Sequence, residues 1–290
     1  MLARATDPPS SVLRRSFLPA GKLRPALLAR LLLLRGWPDE RVVLGPRIGE
    51  DAAVIDLGDR YLVAKTDPIT FAREEIGWYL VQVNANDLAV TGAVPRWMLV
   101  TLLLPECHST PELAEGIFRQ VDAACRELHI AVVGGHTEVT LGLDRPLAVG
   151  HMLGEVAKGQ LVRTGGAHVG DDLILVKGIA IEGTSIIARE KEQELHRRNY
   201  SSAFVARAQE YLHDPGIGVV REALLATVSV DVHAMHDPTE GGLATGLHEL
   251  AEAAGVGVRV EAEKIAVLPE SAALCAEFGL NPLGTIASGA

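Results

Sequence analysis

Two hydrophobic periods alternate along the chain. Short apolar runs at Arg41–Leu44, Ala52–Asp56 and Tyr61–Lys65 are separated by Gly45-Pro46 and Gly58-Asp59, which reads as three strands joined by turns. The spacing turns helical from Glu75 to Thr91, with Gly92 to stop the helix and Pro95 beyond it. Trp97–Leu104 is a continuous apolar run suited to a buried strand. Ser109 and Glu112 then stand at capping-box spacing around Pro111, which predicts a helix running to about Leu128. A short strand, Ile130–Val133, leads into Gly134-Gly135-His136-Thr137-Glu138, and a further strand occupies about Pro146 to Val156.

The flanks and the second half follow the same logic. Residues 1–20 are rich in Pro, Ser and Arg, lack a period and are expected to form a flexible arm. A helix is predicted over Pro25–Arg35, closed by Gly36 and Pro38. The turn-rich stretch Arg163 to Asp172 separates two domains, which we place at 21–160 and 161–290. The second opens with strand Leu173–Lys177. Helices are predicted around Thr184–Arg198, Ser202–Leu212 and Val219–Val228, after Gly242 to near Gly255, and over Glu270–Phe278; a strand is predicted at Val256–Val260. The final residues, Gly284 to Ala290, look like the start of a strand with nothing after it, so the second domain is expected to be incomplete. Strands interleaved with long helices in both halves define an α+β or α/β class.

Composition narrows the function. With 48% hydrophobic and 22% charged residues, the chain can build a sizeable core. A formal net charge of -10 argues against nucleic acid as a partner, because a phosphate backbone calls for clustered Lys and Arg. The Leu-rich run Leu27–Leu34 is broken by Arg30 and is too short to span a membrane. The three cysteines, Cys107, Cys125 and Cys275, have no metal-binding spacing, and they fit a reducing, cytoplasmic setting.

No P-loop, dinucleotide fingerprint, nucleophile elbow or zinc-protease motif occurs, and His233, His236 and Asp237 lack the spacing of a helical metal face. Four sets of polar residues beside turns or small residues stand out instead. They are Gly49-Glu50-Asp51, Thr66-Asp67-Pro68, Asn84-Ala85-Asn86-Asp87 and Gly134-Gly135-His136-Thr137-Glu138. In an otherwise apolar helix, Asn84, Asp87 and Thr91 share a face. A buried carboxylate there needs a partner, and basic residues are few between Glu74 and Ala93. Mg²⁺ takes one or two carboxylates plus waters and phosphates, so Asp51, Asp67 and Asp87 are the candidate metal ligands. Gly134-Gly135 would let a backbone approach phosphates closely. In the second half, His236 to Leu243 is a strand-to-helix junction able to hold an anion at the helix start, or simply a helix cap made by Asp237 or Thr239.

In their order along the chain, Gly49-Glu-Asp-Ala-Ala-Val-Ile, Thr66-Asp67, Asn86-Asp87-Leu-Ala-Val-Thr-Gly-Ala-Val-Pro, Gly134-Gly-His-Thr and Asp237-Pro-Thr-Glu-Gly-Gly-Leu resemble the aminoimidazole ribonucleotide synthetase superfamily. That superfamily includes thiamine-monophosphate kinase, selenophosphate synthetase and a hydrogenase-maturation dehydratase. The resemblance covers roughly residues 22–290. It implies an N-terminal mixed sheet with helices that dimerises, a C-terminal α/β sandwich domain, and ATP in a cleft near the subunit interface. It also implies Mg²⁺ held by Asp51, Asp67 and Asp87, Asn84 or Asn86 close to the phosphates, and Gly134, Gly135 and Thr137 beside the nucleotide. Lys22 would reach a phosphate, and Asp237 belongs to the second-domain part of the site. Glu50 and His136 depart from residues common in the family. Gly21-Lys22-Leu23 and Asp237-Pro238-Thr239 look most like the hydrogenase-maturation branch, although the C-terminal cysteine of that branch is not in this sequence. The implied activity is ATP-dependent phosphorylation of an amide or similar oxygen. Its alternatives are a small-molecule kinase and a catalytically idle nucleotide-binding scaffold.

Overall fold

The computed structural model describes residues 18, 21, 23–34, 36–47, 50, 52–70, 72 and 74–290. Asp51 and Lys22, like nearly all of the 1–20 arm, lie outside the described residues. The first helix, α1 (Pro25–Leu31), is one turn shorter than the sequence suggests. Then come β1 (Val42–Leu44), β2 (Ala53–Asp56), β3 (Arg60–Ile69), α2 (Ile76–Ala89), β4 (Val94–Pro105), α3 (Pro111–Glu127), β5 (Ala131–Thr140) and β6 (Leu147–Ala157).

Among the described residues the six strands form one mixed sheet in the order β1-β2-β3-β6-β4-β5. Every pairing is antiparallel except β4 with β5, which α3 joins as a crossover. One sheet face is core. Val54, Val63, Met98, Leu102 and Met152 pack beneath Leu80 and Leu88 of α2, all essentially without exposure. Gly77 lets α2 cross α3 closely, since a Cβ there would lie 2.6 Å from the Ile117 carbonyl oxygen. The start of α3 differs slightly from the capping-box reading. Thr110, not Ser109, is its cap and accepts from the Leu113 N–H at 3.3 Å, while the Ser109 hydroxyl donates to the Pro105 carbonyl at 2.8 Å.

β5 does not stop before the glycines as expected. It runs through Gly134 to Glu138, because β4 offers it a parallel partner along the whole segment, with Gly135 beside Val100 and Thr137 beside Leu102. Gly135 sits at φ 148°, where a Cβ would run into the backbone of Val100; Gly134 has no such neighbour.

The second half contains α4 (Ile181–Glu190), α5 (Glu192–Arg197), α6 (Ser202–Glu210), α7 (Val220–Ser229), α8 (Gly242–Ala254) and α9 (Pro269–Glu277). The single helix expected over Thr184–Arg198 is broken at Lys191, at φ -114° and ψ 16°. The expected strands at Leu173–Lys177 and Val256–Val260 carry no ladder, and Lys177 sits at φ 56°. In this half the only described β pairing is one parallel bridge, Ile179 to Val267. An apolar extended segment becomes a strand only when a neighbour takes its N–H and C=O groups, and Ile174 and Val260 instead stand exposed. Residues 285–290 are not a strand either. They tuck into the helices, with Ala287 and Ser288 buried and the Gly183 N–H donating to the Ile286 carbonyl at 3.1 Å.

Candidate functional site: a carboxylate pair between β3 and α2

Lys65 and Asp67 are two residues apart on β3, so both face α2. Twelve of the fourteen residues of α2 are buried, among them Asn84, Asn86 and Asp87. From these two elements a pair of carboxylates converges on one ammonium. Lys65 Nζ lies 3.2 Å from Asp87 Oδ2 and 3.5 Å from Asp67 Oδ2. The Asp87 side chain is 5% exposed and that of Asp67 35%, so the pair has a closed end and an open one. Two carboxylates against one ammonium leave this trio one negative charge in excess. Lys65 is the residue that sequence reasoning missed. Nothing in the Glu74–Ala93 stretch announces it, whereas the two-residue strand period from Asp67 points straight back to Lys65.

Asn84 fixes Asp67. Its Oδ1 accepts from the Asp67 N–H at 2.9 Å, and its Nδ2 donates to the Asp67 carbonyl at 3.3 Å and to Leu80 O at 2.9 Å. Gly150, opposite Asp67 in the β3–β6 register, makes room for this amide, since a Cβ there would stand 2.5 Å from Asn84 Nδ2. Asn86 works on the opposite flank. Its Nδ2 donates to Ile217 O at 2.8 Å and its Oδ1 accepts from the Val219 N–H at 2.8 Å, which latches the second half onto α2. Lys177 reinforces the same loop by donating to the carbonyls of Gly216 and Gly218. Expected near phosphates, Asn84 and Asn86 thus have their amides committed to protein backbone.

The β5 residues are not brought to this pair within one chain. Asp67, Gly150, Val100 and Gly135 form one row across β3, β6, β4 and β5, which puts Gly135 three strand spacings from Asp67, roughly 14 Å. Gly134, Gly135 and Thr137 lie on the exposed edge strand instead, bordering a surface depression with Phe118 of α3. His136 Nε2 is 3.0 Å from Glu138 Oε2. Asp237 is buried, just ahead of α8. Neither it nor Thr239 caps that helix. The N-cap is Gly241, at φ 87°, with no side-chain bond. Next to Asp237, His236 Nε2 pairs with Glu249 Oε2 at 2.8 Å.

Glu182 was not foreseen. It sits in the first turn of α4 at 6% exposure, and burial, helped by the nearby Glu240, pushes its carboxyl up to about 7 against the pull of Ser288. Tyr79 of α2 shares this buried neighbourhood, and its phenol is raised mainly by desolvation and next by Glu182.

A mixed sheet backed by buried helices, with an acid pair between β3 and α2 and a second, mostly helical half latched to α2, defines a two-domain α+β protein. The chain belongs to the AIR synthase related family: residues 49–156 match its N-terminal domain and residues 168–290 its C-terminal domain. It is 30% identical over 245 residues to a hydrogenase expression/formation protein of Methanocaldococcus jannaschii, covering 82% of this chain and 69% of that one. It is 29% identical over 253 residues to the carbamoyl dehydratase HypE of Rhizobium leguminosarum bv. viciae, covering 84% and 68%. A solved structure of the hydrogenase maturation protein HypE in complex with ATP superposes with a TM-score of 0.62 at 23% identity, over 93% of this chain and 77% of that one. The chain is thus a member of a family of ATP-dependent enzymes, on its hydrogenase-maturation branch. No described helix is long and apolar enough to cross a membrane.

Proposed function

We propose that this protein binds Mg²⁺–ATP at the Asp67–Asp87 pair and transfers the terminal phosphoryl group to an amide or similar oxygen of an acceptor, in the manner of a carbamoyl dehydratase. The observation that carries this reading is the convergence of two carboxylates, from separate elements, on one cationic centre. Their donor set fits Mg²⁺, which prefers a few carboxylate oxygens and completes its shell with water and phosphate. When bound, the ion would offset the charge that develops on the phosphates during transfer. Asp67 and Asp87 would hold it, with Asp51 as the third acid. Lys65, reaching between them, would move to phosphate oxygens as the ion takes its place. Asn84 holds Asp67 in position, and Asn86 keeps the second half closed against α2. In the transfer, the acceptor oxygen bonds to the γ-phosphorus as the bond to the β–γ bridging oxygen breaks, giving ADP and an activated oxygen. The hydrogenase maturation protein HypE, which shares this fold, was solved in complex with ATP, and that supports the nucleotide part of this proposal.

We also infer that two copies pair through the sheet. On the face away from α2, Leu99, Leu103, Val149 and Leu153 are only half-buried, and nine of the ten residues of edge strand β5 are exposed. An apolar sheet face calls for a covering layer. A partner there would place the β5 residues Gly134, Gly135 and Thr137 at a subunit interface. A cytoplasmic setting suits an ATP consumer of this kind.

The test is substrate-dependent ADP formation with and without Mg²⁺, comparing wild type with Asp87→Ala. The reading requires turnover in wild type that needs Mg²⁺, and its loss in the variant. A phosphorylated product that accumulates would mark a small-molecule kinase. ATP binding without turnover, unchanged in Asp87→Ala, would mark a scaffold.

A further inference from the structure

A second cluster of metal-type donors lies in the other half of the molecule, and the reading above makes no use of it. His168 and Asp171 stand in the turn that opens the second domain, and His233 lies in the extended segment leading to Asp237. Their donor atoms all lie within 4.8 Å of one another. His233 Nδ1 is 3.2 Å from His168 Nδ1, 2.9 Å from Asp171 Oδ1 and 3.0 Å from Asp171 Oδ2. We propose that His168, Asp171 and His233 form a binding site for a divalent transition ion of the Zn²⁺ type.

Hydrogen bonding alone accounts poorly for this arrangement. An imidazole Nδ1 carries at most one proton. If the proton on His233 Nδ1 points at Asp171, it cannot also point at His168 Nδ1. If His168 donates instead, the His233 lone pair faces a carboxylate. A cation held by all three lone pairs satisfies each contact at once. The spacings agree with this. Ligands at 2.0–2.2 Å around a tetrahedral ion stand about 3.3–3.6 Å apart, a few tenths of an ångström more than the separations of 2.9–3.2 Å seen here, so a small outward shift of the side chains admits the ion.

The surroundings fix the donors as a metal site requires. The backbone N–H of His168 donates to Asp171 Oδ2 at 2.7 Å, and the Asp171 N–H donates to His168 O at 3.2 Å, so the turn is closed on itself. Gly166 packs directly on the His233 backbone, where a Cβ would overlap the His233 carbonyl. On the far side of the His233 ring, Nε2 lies 3.5 Å from Asp231 Oδ2. A carboxylate behind the second ring nitrogen is the usual support of a ligating histidine. The two rings meet edge-on, with centroids 4.6 Å apart and planes at 78°, and their Nδ1 atoms are 3.2 Å apart.

The donor chemistry separates this site from the carboxylate pair. Two imidazoles and one carboxylate suit Zn²⁺, Co²⁺ or Ni²⁺, whereas Mg²⁺ selects oxygen. The side chains of His233 and Asp171 are 37% and 31% exposed, so a fourth ligand, water or a donor from another molecule, has access.

Zn²⁺ titration of the full chain without nucleotide, by calorimetry or chelator competition, tests the proposal. One equivalent should bind. His168→Ala and His233→Ala should each weaken binding at least about ten-fold, and Asp231→Asn by a smaller factor. His248→Ala, at an exposed histidine paired with Glu252 on α8, and Asp87→Asn should leave it unchanged. Co²⁺ should give the visible absorption of a four-coordinate site in wild type and not in the double histidine variant. A readout that needs no variant is histidine modification by diethyl pyrocarbonate: Zn²⁺ should protect His168 and His233 but not His248. Absence of a saturable equivalent, wild-type affinity in the two histidine variants, or equal modification with and without Zn²⁺ would overturn the site.

Discussion

At the scale of single residues, position decides what each polar group does. Asn86 is an interdomain latch: Asn86→Ala leaves a buried N–H and a buried carbonyl without their partner and should cost about 2–4 kcal/mol, read from urea unfolding. Glu182 sets a pH dependence. Its folded value, about 7, lies above the ordinary 4.5, so the native state binds the extra proton between those values. Stability should therefore fall as pH rises through that window, by up to roughly 3 kcal/mol. Glu182→Gln should raise the unfolding midpoint at pH 8 and change it little at pH 4; equal effects at both would reject this assignment. Asp67 and Asp87 stand out in the sequence because acids beside turns or inside apolar helices are conspicuous. Lys65 and Glu182 do not, because each gains meaning only from a neighbour far along the chain.

At the scale of elements, the first half was largely legible. The helical spacing of Glu75–Thr91 and the apolar run Trp97–Leu104 became α2 and β4 with small boundary changes. The Gly134-Gly135 pair was misleading, because paired glycines signal turns and nothing local announces a parallel neighbour. Gly135→Ala should destabilise by more than about 2 kcal/mol, given its positive φ and the Val100 backbone against it, while Gly134→Ala should cost under about 1 kcal/mol. Melting temperatures of the two variants measure this, and equal shifts would contradict the packing described. The second half was less legible. Leu173–Lys177 and Val256–Val260 have strand composition, but a ladder depends on partners that local pattern does not reveal.

At the scale of the whole molecule, the sheet covers one face with α2 and α3 and leaves the other half-covered. Pairing of two copies through that face predicts a dimer by sedimentation, and Leu99→Lys with Val149→Lys should give a monomer. A monomeric wild type would remove the subunit interface from the account. The acid pair lies where Asn84 holds α2 to β3, and α2 also meets the second half through Asn86. The most direct measurement is a double-mutant cycle on Mg²⁺-dependent ATP affinity with Asp67→Asn, Asp87→Asn and the pair together. If both acids hold one ion, each single change weakens binding and the double change costs less than their sum, with a coupling of at least about 0.5 kcal/mol. Strictly additive losses, or affinities unaffected by either change, would contradict a shared magnesium site.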